Sequence, residues 1–192
     1  MCSSDLEAKL ANGDFDFAYM NPYHALVAGR DQGYVPLVRD GGRSLYGILV
    51  VRKDSPIQDV KDLDGAEIAF PAPNALGASL LMRAELARGQ GISITPKYVK
   101  THSSVYLNVL LGQTAAGGGV MGTFNQQPAT IKDQLRTVFV TRDMAPHPLG
   151  AHPRVSLSDR AKITKALLAI AGTAEGQALL DKVTFRKEVE TK

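Results

Sequence analysis

The segment at residues 66–88 predicts a strand that passes through a short loop into a helix. Residues 66–70 are mostly apolar and extended in character, and residues 80–88 carry apolar side chains at the spacing of one helix face. The loop between them contains two prolines and leads through Gly77 to Ser79. A chain that places helices after strands in this way is typical of an α/β protein, in which helices cover a sheet.

Two further segments have the same organisation. In residues 14–17, phenylalanines alternate with aspartates, as in a strand, and Pro22 then begins a helix. In residues 97–110, a short strand ends in Thr-His-Ser-Ser and an apolar helix follows. Because ligands of open α/β sheets bind at the carboxyl ends of strands, these three strand ends are candidate binding positions.

The loop at residues 70–79 has the features of an anion pocket. The first turn of a helix leaves backbone N–H groups unpaired, and the helix dipole adds positive potential there. A glycine at position 77 lets a ligand approach the backbone closely. An ordinary helix start with no ligand would have the same sequence, so this loop alone does not establish a site.

Polar and aromatic residues occupy the other two strand ends. Tyr19, Asn21 and Tyr23 follow the first strand, although the tyrosines could serve a core or an interface, and Asn21 could make the turn before the proline. In the third segment, Ser103 or Ser104 is predicted to cap the helix. His102 lies beside hydroxyl residues and is either a donor to a bound oxyanion or a satisfied polar residue at a helix start.

Composition narrows the possible functions. Hydrophobic residues make up 44% of the chain and charged residues 21%, the net charge is +3, and no run of Lys or Arg indicates nucleic acid. The single cysteine excludes an intramolecular disulfide and a thiolate metal cluster. His147 and His152 lack the acidic partner of a metal motif, and no nucleophile elbow or phosphate-binding Walker loop is present. Neither a metal nor a cofactor is therefore expected.

The chain resembles the substrate-binding proteins of phosphate, phosphite and phosphonate ABC importers. The resemblance covers almost the whole chain, and its segments follow the order of the family: residues 16–23, 46–51, 62–70, 74–79, 101–105, 111–118 and 146–148.

The resemblance implies a type II periplasmic binding protein fold, with two α/β lobes joined by crossing strands. Residues 1–43 and 146–192 would form a partial first lobe, residues 44–53 a crossing strand, and residues 54–145 the second lobe. Helices are expected at 57–65, at 158–168 with Ser158 as the cap and Gly172 as the stop, and at 174–183. The first lobe would be incomplete, with an exposed apolar edge, because family members carry a further N-terminal segment; residues 1–5 would then be an assembly scar.

The resemblance also implies a function. The chain would bind a small oxyanion in a cleft between the lobes and deliver it to a membrane permease from the periplasm, either free or anchored to the membrane. The alternatives are a sensory domain of a signalling receptor and, from another class, an enzyme that acts on small anionic substrates. The predicted ligand-binding residues are Tyr19, Asn21, Tyr23, Asn74, Ala75, Gly77, Ser79, Thr101, His102 and Ser103.

Two departures from the family pattern bear on the ligand. The loop at 74–78 has no hydroxyl residue, whereas phosphonate binders are rich in Ser and Thr there, and Ser79 is the first hydroxyl. Thr114-Ala115 stands where Val-Asp is frequent, which removes an acidic group. The sequence therefore leaves phosphate, phosphite, phosphonate, a sulfonate and even a neutral solute open as ligands.

Overall fold

A computed structural model describes residues 3–42, 44–182 and 188–190 and divides the chain into two compact units. Unit 1 consists of Met1–Ser44 and Ala145–Lys192, and unit 2 of Leu45–Met144. Unit 2 is thus one continuous segment within the sequence of unit 1, and two connections join them. Met1 and Cys2 of the expected scar, and the final residue of the predicted last helix at 183, lie outside the described residues.

Helices and strands alternate through most of the chain. The described helices are α1 (Ser3–Ala11), α2 (Pro22–Gln32), α3 (76–90), α4 (His102–Leu110), α5 (Met121–Asn125), α6 (Ala129–Lys132), α7 (Leu157–Ala171) and α8 (Ala174–Lys182), and a short 3-10 turn covers Val60–Leu63. The strands are β1 (Phe17–Tyr19), β2 (Val35–Asp40), β3 (Gly47–Arg52), β4 (Glu67–Phe70), β5 (Thr95–Tyr98), β6 (Ala116–Val120), β7 (Leu135–Val140), β8 (Pro148–Ala151) and β9 (Glu188–Glu190). Among the described residues, no helix has the length and apolar character needed to cross a membrane.

Unit 1 contains a four-stranded antiparallel sheet in the order β1-β8-β2-β9. Strand β8 lies in its interior, with Leu149 opposite Tyr19 of β1 and Pro148 opposite Arg39 of β2. Since β1 and β2 both run against β8, their carboxyl ends lie at the same edge of the sheet. An apolar cluster packs α1 and α2 against this sheet; its buried members are Leu10, Ala18, Met20, Ala28 and Tyr34.

Unit 2 contains a five-stranded mixed sheet in the order β5-β4-β6-β3-β7. Strand β4 is parallel to β5 and β6, and β3 is antiparallel to β6 and β7. Leu49 and Val51 of β3 join one hydrophobic cluster, whereas Ile48 and Val50 join another. Both faces of the sheet are therefore covered, which explains why the sequence of β3 is a continuous apolar run and not an alternating one.

Glycines of β6 allow the helices to pack closely on this sheet. A Cβ atom on Gly118 would lie 2.3 Å from the carbonyl oxygen of Ala78 in α3, and one on Gly119 would lie 2.2 Å from the hydroxyl of Tyr106 in α4. This agrees with the prediction that residues 117–119 form a strand with a close neighbour.

Helix α3 begins earlier and ends later than the predicted range of 80–88. It is continuous over Leu76–Leu81, Met82–Glu85 and Leu86–Gln90, with wide π-type turns in the first and last of these segments, and Gly91 with φ of 71° ends it. The helix starts at residue 76 because the N–H groups of Ser79 and Leu80 both donate to the carbonyl of Ala75. Small residues at positions 77 and 78 permit this, since both are buried against the sheet.

Two predicted caps were wrong. Helix α7 is capped by Ser156, whose hydroxyl accepts from the N–H of Asp159 at 3.1 Å, and not by Ser158; Gly172 follows its last residue, as predicted. Helix α4 is capped by Thr101, whose hydroxyl accepts from the N–H of Ser104 at 3.0 Å, and not by Ser103 or Ser104. In both cases the capping residue lies where the backbone is still extended, which places its oxygen over the free N–H groups.

Candidate functional site

The carboxyl ends of the parallel strands β5, β4 and β6 define one edge of the sheet in unit 2. Phe70 at the end of β4 lies opposite Tyr98 at the end of β5, so the loops that lead into α3 and α4 leave from adjacent positions. The sequence predicted this shared edge from the two strand-to-helix transitions. The N-terminal N–H groups of both helices therefore lie at this edge, where they favour a bound negative charge.

The connections to unit 1 attach at this same edge of unit 2. Gly47, at the start of β3, lies opposite Val120 at the end of β6. Leu45 and Met144 exchange backbone hydrogen bonds of 2.9 and 2.8 Å, so the two ends of unit 2 lie side by side.

The loop into α3 offers backbone groups rather than side-chain hydroxyls. Ala75 occupies the cap position with an extended backbone and no side-chain hydrogen bond, and Gly77 is buried. Asn74 is half-buried in the loop. Ser79 has no exposed surface, and its hydroxyl accepts a hydrogen bond of 3.3 Å from Nε of Arg83. The predicted hydroxyl at position 79 is therefore covered by a guanidinium.

Arg83 is a residue of this edge that the sequence reasoning missed. Its Nη2 donates to the carbonyl of Pro73 at 2.9 Å, and its guanidinium carbon lies 5.9 Å from the centre of the Tyr98 ring. The spacing of four from Ser79 in a helix would have pointed to it, because residues four apart lie on the same face.

The loop into α4 places His102 at the first position of the helix. Its Nδ1 is buried and has no hydrogen-bond partner among the described residues. Burial lowers the pKa of His102 below its ordinary value of 6.5, because desolvation penalises the charged imidazolium. Thr101 is exposed, and its hydroxyl lies 2.8 Å from that of Ser104, while Ser103 is exposed beside them.

In unit 1, Tyr19, Asn21 and Tyr23 gather at the end of β1 and the start of α2. The ring of Tyr19 stacks on His147, with centroids 5.5 Å apart. Asn21 caps α2 by accepting from the N–H of His24 at 2.8 Å, and Tyr23 is 38% exposed. Asn21 is thus the N-cap of α2.

His147, which stacks on Tyr19, is a residue of this edge that was not among the predicted ligand-binding residues. Burial lowers its pKa, and the neighbouring imidazole of His24 lowers it further. His24 is itself buried and lies 3.0 Å from the carboxylate of Glu7, which ties α2 to α1. Because His147 precedes β8, it lies at the edge of the sheet where the carboxyl ends of β1 and β2 meet, and there the connections reach unit 1.

The structure brings the ten predicted residues together in two groups. Residues 74–79 and 101–103 share the strand-end edge of unit 2, and residues 19–23 share the corresponding edge of unit 1. Within the described ranges, no cluster of three or more His, Cys, Asp or Glu side chains could hold a metal ion.

Comparison with known structures identifies the fold. PhnD1 of Prochlorococcus marinus, solved in complex with methylphosphonate, has a TM-score of 0.85 at 11% identity, and the match covers 100% of this chain and 78% of that one. A binding protein component of an ABC phosphonate transporter from Pseudomonas aeruginosa has a TM-score of 0.82 at 14% identity, covering 98% and 67%. A histidine kinase sensor domain with similarity to periplasmic binding proteins is less similar, with a TM-score of 0.63 at 15% identity, covering 99% and 78%.

These likenesses confirm the type II periplasmic binding protein fold. No curated protein matches the chain. The family described as "ABC transporter, phosphonate, periplasmic substrate-binding protein" matches residues 3–192. The chain therefore belongs to the periplasmic substrate-binding proteins of phosphonate ABC transporters.

Proposed function

We propose that this solute-binding component of an ABC importer takes a small tetrahedral oxyanion, a phosphonate, phosphite or phosphate, at the strand-end edge of unit 2. The observation that carries the proposal is the pair of helix starts at adjacent parallel strands, α3 after β4 and α4 after β5. Two helix N-termini at one edge favour negative charge, and their backbone N–H groups replace the water around the anion.

His102 adds a side chain suited to that role. It is the first residue of α4, and its buried Nδ1 has no partner among the described residues. Such a group normally finds a partner when buried, and an oxyanion at the helix start would supply one. Thr101 and Ser103 are exposed hydroxyl residues on either side of it.

In unit 1, the residues proposed to contact the solute are Tyr19, Asn21 and Tyr23. In each unit, the candidate residues lie at the edge of the sheet where the two connections attach. Connections at that position suit hinge closure around a solute, with a few residues absorbing the change. The closed form would then be the one that docks on the permease.

We infer a binding role without catalysis, since the family is one of transport proteins. Neither His102 nor His147 forms an ion pair with a carboxylate in the described part of the chain, so the arrangement of a general base held by an acid does not occur at either of them.

Calorimetry and thermal unfolding with methylphosphonate, phosphite and phosphate test the function. A bound anion raises the unfolding temperature by mass action, by the equivalent of about 2.7 kcal/mol at a hundredfold excess over Kd. A neutral analogue of similar size, such as acetone, is the control and should have no effect. Absence of binding for all three anions would contradict the proposal.

A sensory domain is the second candidate, because a histidine kinase sensor domain shares the fold. The two roles differ in the partner of the closed form. Ligand-dependent binding to a permease in proteoliposomes supports transport, and ligand-dependent change in the activity of a kinase supports sensing.

A further inference from the structure

The start of α3 is unusual for an oxyanion site because it presents no accessible hydroxyl side chain. No Ser, Thr or Tyr occurs in residues 70–78. Ser79 is the first hydroxyl, and it is fully buried with its oxygen against Nε of Arg83. A ligand that approaches this helix start therefore meets backbone N–H groups and the guanidinium that covers Ser79.

The guanidinium of Arg83 has no counter-ion within ion-pair distance among the described residues. Its hydrogen bonds go to neutral acceptors, the hydroxyl of Ser79 and the carbonyl of Pro73. Four other arginines, by contrast, each pair with a carboxylate; they are Arg30, Arg52, Arg142 and Arg154. Leaving a half-buried cation without an anion costs free energy that a bound anion would recover.

Arg136 and Arg160 likewise donate to neutral acceptors, in their case backbone carbonyls, so the absence of a paired carboxylate does not by itself identify a ligand residue. Arg136 donates to the carbonyls of Ser55 and Ile57. Arg160 donates to those of Pro153 and Val155, which lie between β8 and α7. Neither lies beside the start of α3 or α4. Arg83 differs because its side chain runs back along the helix to the loop before residue 76, where the anion is proposed to bind.

The geometry of the guanidinium leaves part of it available. Nε and Nη2 are used for Ser79 and Pro73, whereas Nη1 makes no hydrogen bond within the described ranges. Tyr98 holds the group from the side of β5, at 5.9 Å from the ring centre. Guanidinium groups suit phosphonate and phosphate oxygens because their planar N–H groups match the spacing of those oxygens.

We propose that Arg83 is the charged partner of the bound oxyanion and makes the site prefer a doubly charged anion over a singly charged one. This inference rests on the proposed function and adds to it the residue that sets the charge preference. Attraction to a fixed cation doubles when the anion carries two charges, whereas hydrogen bonds from neutral backbone groups discriminate less.

A matched pair of ligands separates the charge effect from other effects. Methylphosphonate and methanesulfonate have the same tetrahedral shape, but at about pH 8.5 the first carries two charges and the second only one. The wild-type protein should bind methylphosphonate more tightly. In Arg83→Gln, the ratio of the two affinities should fall by about tenfold to a hundredfold.

Arg88→Gln is the control, because Arg88 is exposed on the same helix and its replacement changes the net charge equally. Its affinity ratio should equal that of the wild-type protein. Arg83→Lys keeps the charge without the planar donor group, and it should retain a preference for methylphosphonate that is intermediate between the wild-type and Gln variants. If Arg83→Gln does not fold, Arg83→Met removes the charge in its place while keeping a long apolar side chain, and an unchanged ratio in that variant overturns the inference.

The possible results separate the two proposals. If Arg83 only holds the loop, Arg83→Gln weakens both ligands equally, the ratio stays constant, and the inference is overturned while the proposed function stands. The inference is also overturned if Arg83→Gln changes neither affinity. If the wild-type protein binds none of methylphosphonate, phosphite and phosphate, both the proposed function and this inference fail.

Discussion

His102 begins helix α4 with an imidazole that the fold keeps neutral near pH 7. Burial lowers its pKa, and its Nδ1 has no protein partner in the described ranges. A bound anion would favour the charged form and raise the pKa again. Ligand binding and protonation of this residue are therefore expected to be linked.

This linkage predicts that oxyanion affinity rises as the pH falls. The gain should begin as the pH drops through the pKa of His102 in the complex and level off below its lowered pKa in the free protein. His102→Ala should cost about 1.5–3 kcal/mol of binding free energy. Calorimetry from about pH 5 to pH 8 checks this, using sulfate to keep the ligand charge constant.

The His102→Ala variant should also lose the pH dependence, while its unfolding temperature without ligand stays close to that of the wild-type protein at pH 7. Equal affinities for wild type and variant would remove His102 from the site.

The stability of the folded protein in acid also depends on buried histidines. The pKa values of His102 and His147 are both lowered in the folded protein, so the unfolded chain binds more protons between those values and 6.5. The stabilisation is complete above pH 6.5 and is lost as the pH falls through the folded-state values. We expect the unfolding temperature of the ligand-free protein to decrease from about pH 6.5 to pH 5.

The double variant His102→Gln, His147→Gln isolates this effect, because glutamine does not titrate in the range. Its unfolding temperature should change less between the two pH values than that of the wild-type protein. An equal slope in both proteins would show that other groups control acid stability.

Helix α3 depends on a close approach to strand β6. A Cβ on Gly118 would lie 2.3 Å from the carbonyl of Ala78 and 2.4 Å from a ring atom of Phe70, so neither the backbone nor the ring can yield easily. Gly118→Ala should therefore lower the free energy of unfolding by about 1–3 kcal/mol. Urea denaturation of the ligand-free protein measures this.

Gly89→Ala is the matched control within α3. Nothing lies within 4 Å of a Cβ at that position, and the backbone there is compatible with alanine. It should stabilise the protein by about 0.5–1 kcal/mol, because alanine loses less conformational freedom in a helix. If Gly118→Ala proves as stable as the wild-type protein, the close packing of α3 on β6 is not required.

At the scale of the whole molecule, unit 2 is one continuous segment of the chain, so its ability to fold alone can be tested. Both hydrophobic clusters of its sheet are formed by residues between 45 and 144, and Leu45 and Met144 are hydrogen-bonded to each other. A segment with its own core and adjacent ends meets the conditions for independent folding. We expect the fragment 45–144 to unfold cooperatively in urea, with dispersed amide signals in NMR spectra.

The affinity of the same fragment for methylphosphonate measures what unit 1 contributes to binding. If Tyr19, Asn21 and Tyr23 contribute to binding, the fragment should bind methylphosphonate more weakly than the whole chain. A folded fragment with undiminished affinity would confine the site to unit 2. An unfolded fragment would show that unit 2 needs unit 1 for stability.

The sequence by itself determined the elements that arise from local periodicity. The alternation at 14–17, the apolar run of β3 and the loops at 70–79 and 101–104 predicted α/β units and the strand ends that carry the candidate residues. The order of these segments also indicated the family, which the match over residues 3–192 confirmed. Such features can be predicted from the sequence because hydrophobic spacing and turn chemistry act over a few neighbouring residues.

Only the tertiary structure decided which groups the candidate loops present. Ser79 was predicted as a ligand hydroxyl, yet packing of α3 on the sheet buries it and places Arg83 over it. His147 reaches Tyr19 because β8 lies next to β1, although 128 positions, the difference between 147 and 19, separate them in sequence. Contacts of this kind arise from strand order and helix packing, which bring distant residues together and which local pattern does not encode.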